Sequence, residues 1–252
     1  MKIALLSDIH ANLHALDACI DHATGQGAQR FAVLGDLVGY GAQPAAVVSR
    51  VRELARQGAM VLKGNHDALA VNPPQTSVTV GEAGAGWTHA QLSSTDLAFL
   101  DGLPMTWTEG AALMVHASAD APQRWQYVDS PQRAKASLDA ACRDHSVRYV
   151  FGGHVHQQTL YFRSASTSTR LMRFEPTPGS PIPIPSHRRW LATVGSVGQP
   201  RDGSPLAMYA LFDAARAELT FHRVAYDHLA AAALIRTAGL PEFFAQRLER
   251  GQ

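Results

Sequence analysis

KIALLSDIH (2–10), FAVLGD (31–36) and AMVLKGNHD (59–67) are three short apolar runs that each finish in polar, chemistry-bearing residues. Short continuous apolar runs bounded by such residues suit strands buried on both faces, as in a parallel sheet. Between the first two, Leu13, Leu16, Ala18 and Ile20 recur at roughly helical spacing, and Gly25 and Gly27 stop that helix. A second helix is expected over 44–57, opening at Pro44, a suitable first helical position. The result is β-α-β-α-β, the rhythm of a layered α/β fold. The strand ends deliver Asp8 and His10, then Asp36, then Asn65 and His66. In open α/β sheets ligands bind beyond the carboxyl ends of the strands.

Further along, residues 84–101 read as helical, with Trp87, Leu92, Leu97, Phe99 and Leu100 as apolar anchors and Pro104 closing the region. AALMVHAS (111–118) and RYVFGGHVH (148–156) repeat the theme of an apolar run ending in histidine, with a helix expected between them over 130–145. From residue 157 the texture changes to strand-like segments rich in β-branched and aromatic residues: TLYFR, RLMRF, WLATVGS, AMYALFD and ELTFHRV. The proline-rich stretch from Pro176 to Pro185 reads as a surface loop. The tail from about Ala225 is alanine-rich and helical, interrupted at Gly239 and Pro241. No linker or internal repeat divides the 252 residues, which suit one domain with a helical tail.

Composition narrows the function classes. The formal net charge of +1 gives no argument for a non-specific nucleic-acid or membrane partner, so an anionic substrate must be drawn by local charge. Cys19 and Cys142 are too few for a disulfide framework and match no metal spacing; both read as thiols in helices. The apolar run at Ile3–Leu6 is too short for a signal peptide, and no segment approaches the ~20 apolar residues that span a bilayer. The expected compartment is the cytoplasm. Nothing in the sequence assigns an oligomeric state.

Five strand ends together carry Asp8, His10, Asp36, Asn65, His66, His116, His154 and His156. Oxygen and imidazole donors without thiolates suit divalent ions such as Mn, Fe or Zn. In an extended segment residues two apart share a side, so Asp8 with His10, and His154 with His156, are each expected to converge. Asp36 is the candidate bridge between two ions. The other histidines (His14, His22, His89, His145, His187, His222 and His228) read as ordinary surface or packed residues.

SDIH (7–10), GDLV (35–38), GNHD (64–67), VHAS (115–118) and GGHVH (152–156) resemble, in order and spacing, the motifs of the calcineurin-like metallophosphoesterase superfamily. GSVGQPRDG (195–203) resembles a segment that follows the last metal motif in bacterial members, and the nearest resemblance is to small bacterial phosphodiesterases of the diadenosine-tetraphosphatase-like type. The resemblance implies a sandwich of two sheets flanked by helices, in four α-β-β-α layers. It also implies that Asp8, His10 and His156 hold one metal, that Asn65, His116 and His154 complete a second, and that Asp36 bridges them. His66 would contact the substrate or leaving oxygen, and Asp67 would orient His66. The cofactor expected is a pair of divalent ions, Mn or Fe, with Zn or Ni also compatible. Ions about 3.5–4 Å apart would clamp a phosphate and ionise a water near neutral pH.

The chain departs from the pattern of protein Ser/Thr phosphatases, which place an arginine soon after the bridging aspartate. Here GDLVGYG (35–41) has Gly39, Tyr40 and Gly41. A small-molecule phosphoester, with a lean to diesters, is therefore the expected substrate. A phosphoprotein phosphatase and a non-catalytic scaffold of the same fold are the alternatives. Arg201 is the candidate for the phosphate oxygens, and Tyr40 is balanced between a core aromatic and a lid over the substrate. The four tryptophans read as core or rim packing, and Phe243 and Phe244 as packing within the chain.

Overall fold

The structure, a computed structural model, describes residues 1–164 and 171–252. Its first strand, β1 (Lys2–Leu6), shows why the apolar runs are continuous. Ile3 and Leu5 enter one core, and Ala4 and Leu6 on the opposite face enter another. Each fully buried aliphatic side chain of this kind contributes roughly 1.5–3 kcal/mol. β1 pairs in parallel with β2 (Arg30–Val33), which pairs in parallel with β3 (Met60–Val61). On its other edge β1 runs antiparallel to β11 (Ala207–Asp213), followed by β12 (Glu218–Val224) and the edge strand β9 (Pro181–Pro183).

The second six-stranded sheet runs β4 (Thr106–Glu109), β5 (Ala112–Val115), β6 (Tyr149–Gly152), β10 (Arg188–Val194), β7 (Gln158–Ser164) and β8 (Met172–Phe174). β5, β6 and β10 are parallel neighbours, whereas β4 and β7 are antiparallel to theirs. Leu5, Leu34, Phe151, Trp190, Phe212 and Phe221 fill the space between the sheets. Outside the first sheet lie α1 (Leu13–Gly25) and α2 (Pro44–Arg56), which pack Leu16, Val47 and Val51 against Ala4 and Leu6. Outside the second, α6 (Pro131–Ala141) packs Ala134 and Leu138 against Val150, Tyr161 and Leu191. The fold is thus the expected four-layer α-β-β-α sandwich. Among the described residues no helix is long and apolar enough to cross a membrane.

Several local expectations are corrected. The helix expected over 84–101 is two, α4 (Ala85–Ala90) and α5 (Ser94–Asp101). Ser93 caps the second, its side chain accepting from the Asp96 amide while Asp96 accepts from the Ser93 amide, a reciprocal box that starts a new helix. The third apolar run supplies only the two residues of β3, and Asn65 opens α3 (Asn65–Val71). The proline-rich stretch holds β9, where Pro181 and Pro183 are tolerated because an edge strand needs donors on one side only. β4 went unread because three of its four residues are exposed, leaving no buried face to mark it. Arg170, at the start of RLMRF, lies outside the described residues; β8 covers Met172–Phe174. Cys19 lies in α1 as expected and is buried, whereas Cys142 is half-buried just past the end of α6. The tail forms α7 (His228–Thr237) and α8 (Glu242–Arg250), separated at Gly239 and Pro241 as read.

Candidate metal centre and substrate cleft

Asp8 and His10 follow β1, Asp36 follows β2, Asn65 and His66 open α3 after β3, His116 follows β5, and His154 and His156 follow β6. The parallel strands of both sheets therefore aim their carboxyl ends at one place, and all eight side chains meet there. The backbone that brings them in is not extended. Asp8, His10, Asp36, His154 and His156 have φ of 55°, 49°, 54°, 66° and 61°. The expectation that residues two apart converge because they lie on an extended segment is thus corrected: each is a left-handed residue, at roughly 1–2 kcal/mol apiece.

Long-range hydrogen bonds hold these conformations. The Asp8 amide donates to Gly35 O (3.0 Å), the His10 amide to Asp36 O (3.0 Å), and the His154 amide to Asp8 Oδ2 (2.8 Å). Helix α1 is capped by Asn12, which accepts from the Ala15 amide, so Asp8 is free of the capping role. Two glycines make the approach possible. A Cβ on Gly64 would collide with Asp36 Oδ1 and the Asp36 amide, and one on Gly153 with Ser7 Oγ and Asp8 Oδ2.

The chemistry of the donor set is decided by where the ring protons go. His10 Nδ1 faces Val38 O (3.2 Å), His116 Nδ1 faces Leu34 O (2.8 Å) and His156 Nδ1 faces Gln199 O (2.6 Å). A carbonyl only accepts, so each Nδ1 carries a proton and each Nε2 is the ring atom turned inward, able to offer its lone pair to a cation that displaces any proton held there. His10 Nε2 and His156 Nε2 stand 3.1 Å apart. His156 Nε2 is 3.2 Å from Asp8 Oδ1, and His116 Nε2 is 3.3 Å from Asp36 Oδ2. Asp8 Oδ1, Asp36 Oδ2 and His154 Nε2 are buried with no hydrogen-bond donor. Buried carboxylate oxygens and ring nitrogens that face one another without hydrogen-bond partners fit a cation.

Two clusters match the expected division, Asp8–His10–His156 and Asp8–Asp36–His116–His154. Asn65 Oδ1 joins the second at 3.1 Å from His116 Nε2. Asp36 Oδ2 lies 3.8 Å from His10 Nε2 and so reaches toward both clusters, as does Asp8. His66 stands with His10 and Asp36 in a third. None of the other seven histidines enters any of these clusters.

Electrostatics follow from burial and pairing. Burial opposes ionisation of Asp8 and Asp36, yet His156 beside Asp8 and His116 beside Asp36 hold both carboxyls below their ordinary range. Burial also works against a charged His116, but the Asp36 carboxylate carries it up to about 9. Burial, with His156 close by, drives His10 well down, and burial with His116 takes His154 down to about 4. Burial likewise lowers His66, with Asp36 opposing.

Asp67 was expected to orient His66. Its carboxylate instead accepts from the amides of Gly64 (2.8 Å), Asp36 (2.9 Å), Leu37 (2.9 Å) and Val38 (3.3 Å). What it organises is the backbone of the GDLV segment, and no hydrogen bond joins it to the His66 ring among the described residues. GSVGQPRDG wraps the same centre: Ser196 Oγ donates to Asp8 O (2.7 Å), and Gln199 O receives His156 Nδ1.

A cavity of about 770 Å³ opens from Asn65, His66 and His154. Tyr40 lines it while packing against His66 (4.4 Å between ring centres), His10 (4.6 Å) and Phe244 (5.0 Å), so it serves the core and the cleft at once. Arg201 is also in the lining. Trp125 sits on the rim, its ring roughly perpendicular to that of His116 (5.8 Å between centres). Sequence reasoning missed Tyr127, stacked on His154 at 4.0 Å and 16°, and Arg247 from α8. The only signal for Tyr127 was an aromatic in the loop after a ligand-bearing strand; Arg247 carried none.

Residues 1–217 match the model of the calcineurin-like phosphoesterase superfamily domain, and the chain belongs to that family, a family of metal-dependent hydrolases. It is similar along its whole length to a metallophosphoesterase from Sphaerobacter thermophilus, at 33% identity and a TM-score of 0.85, covering 100% of this chain and 99% of that one. An uncharacterized protein of Methanocaldococcus jannaschii is 30% identical over 259 residues, 99% of this chain and 98% of that protein. A hypothetical protein from Pyrococcus horikoshii, 19% identical, shares the fold with a TM-score of 0.77 over 100% of this chain and 98% of that one.

Proposed function

We propose that this protein hydrolyses a phosphodiester of a small molecule or nucleotide, with monoesters as secondary substrates, at a site for two divalent ions. The observation that carries the reading is the inward set of histidine nitrogens and carboxylate oxygens, which forms two overlapping clusters sharing Asp8. Asp8, His10 and His156 would hold one ion, Asn65, His116 and His154 the other, with Asp36 between them; Mn or Fe suits this oxygen–nitrogen set. What such ions supply when bound is Lewis-acid polarisation of the ester and a water ionised near neutral pH.

The chain's own residues do the rest. Asp67 holds the Asp36–Val38 backbone and thereby the Asp36 carboxylate. His66, 6% exposed, borders the cavity and is placed to donate an N–H to the substrate or leaving oxygen. Because burial disfavours its cation, the neutral His66 ring would act as a hydrogen-bond donor to the leaving oxygen, which takes its proton from solvent. Tyr40 and Arg201 line the substrate side, in place of the arginine that protein phosphatases carry after the bridging aspartate.

The test is to strip the protein with chelator, restore manganese, and compare hydrolysis of an aryl phosphodiester with the matching monoester. The expected result is a manganese-restored rate with the diester ahead. A monoester lead would overturn the substrate preference. Rates no higher than those of Asp36→Asn on both esters would overturn catalysis and favour the scaffold reading.

A further inference from the structure

Helix α8, beyond the family-matched residues 1–217, contributes Arg247 to the cavity that His66 and His154 also line. Leu240, Phe244 and Leu248 pack with Tyr40 into a core of their own. Two guanidiniums line this side of the cavity, Arg201 and Arg247. Neither has a carboxylate partner among the described residues, in contrast to Arg223 and Arg236, which are both paired. Arg201 Nη2 donates to Gln199 Oε1 (2.8 Å), and its buried Nε has no acceptor. The Arg201 guanidinium lies 5.7 Å from the centre of the Tyr40 ring, and the Tyr40 hydroxyl sits beside both arginines. Glu82, the acidic residue of the lining, is folded back onto the amides of Val78 (2.6 Å) and Thr79 (3.0 Å) and neutralises neither.

The backbone segments that carry the two arginines are also tied to each other. The Gly203 amide, two residues from Arg201, donates to the carbonyl of Gly251, four residues from Arg247 (2.8 Å). Gly251 takes a φ of 66°, and a Cβ there would collide with the Ser204 backbone. Like charges held together at a half-buried wall repel unless an anion lies between them. Guanidinium forks match the oxygens of phosphates and carboxylates alike, and in a phosphoesterase cleft the phosphate is the anion at hand.

We infer that Arg201 and Arg247 form a second anion subsite, which takes a further phosphate group of the substrate, and that Arg247 is a specificity-determining residue. The preferred substrate is then a phosphoester bearing at least two linked phosphate groups. The substrate class rests on the hydrolase reading given above; the anion subsite itself does not.

The two are separated by a binding measurement that needs no turnover. Inorganic pyrophosphate is titrated calorimetrically into the full chain with chelator present, using wild type, Arg247→Gln, Arg247→Lys and, as a control outside the cavity, Arg236→Gln. Arg236→Gln is expected to bind within about 2-fold of wild type, Arg247→Gln roughly 10-fold more weakly, and Arg247→Lys between them, since a point charge keeps part of the attraction and loses the fork. Circular dichroism melts of the lysine variant guard against a folding defect. Equal affinity in Arg247→Gln and wild type, or no binding by wild type, overturns the subsite. Hydrolysis of neither aryl ester, with the binding pattern intact, overturns the hydrolase reading and leaves the subsite standing.

Discussion

The metal-ligand cradle and the outer wall of the cleft face the same cavity and are built on opposite principles. The cradle is buried, polar and strained: Asp8, His10, Asp36, His116 and His156 are at most 2% exposed, and four of these five sit at positive φ. The outer wall, with Tyr127, Arg201 and Arg247, is half-buried or exposed and is drawn from segments far apart in the chain. A ligand set must be held rigidly, so backbone strain there is stabilised by a dense network of amide hydrogen bonds. A substrate wall needs only to present charge and apolar surface, and loops or added helices suffice.

Replacing Asp67 strikes hardest at that contrast. Asp67→Asn exchanges a carboxylate that accepts four amide bonds for an amide that points donors at donors. The expected loss is about 3 kcal/mol of stability, a fall in melting temperature of roughly 6–12 °C, and a 10–100-fold weaker affinity for manganese. Thermal melts and metal titration check both; unchanged manganese affinity would show that the cradle is not organised through Asp67.

His222 is a buried histidine that, unlike those of the cradle, faces no carboxylate. It stacks on Tyr209 at 4.8 Å, its buried Nε2 has no partner, and burial, aided by His22, lowers its pKa to about 4. The folded value lies below the unfolded one of about 6.5, so the unfolded chain binds the extra proton between them. Its contribution is present in full above pH 6.5 and is lost as the pH falls toward 4. Solvent screening at this partly open ring holds the deficit at pH 5 to about 1–2 kcal/mol. His222→Phe keeps the stack and should flatten this limb: wild type minus variant in urea midpoint, at pH 7.5 against pH 5, should shift against wild type. A difference that does not change with pH would refute the assignment.

The smallest effect is expected at the outer wall. Tyr127 is 47% exposed and stacks on one face of His154, leaving its other side toward the cleft. Tyr127→Ala should raise KM for an aryl phosphodiester several-fold, about 1 kcal/mol, with stability changed by less than about 0.5 kcal/mol. Metal affinity reduced as far as in Asp67→Asn would erase the distinction between cradle and wall.

How much could be read in advance divides along the same line. The apolar runs, their polar ends and the two N-terminal helices were legible because strand burial and helical spacing are local patterns. All seven residues read as ligands are brought together with His66. Asp67 was legible as important but not in its role, since its four amide partners lie as far as 31 residues away. β4 was hidden by its exposure and β9 by its prolines, because neither carries a buried alternating face.

The sequence by itself therefore determined which atoms could bind a cation: donors at the ends of buried strands, identified by type and spacing. The tertiary structure alone decided how they are held and what faces them. Left-handed φ at Asp8, His10, Asp36, His154 and His156 is chosen by hydrogen bonds between separate strand ends, not by those residues' own preferences. Arg247 reaches the cleft because Phe244 and Leu248 pack against Tyr40, some two hundred residues earlier in the chain. Such contacts follow from the shape of the packed core, which no window of neighbouring residues contains.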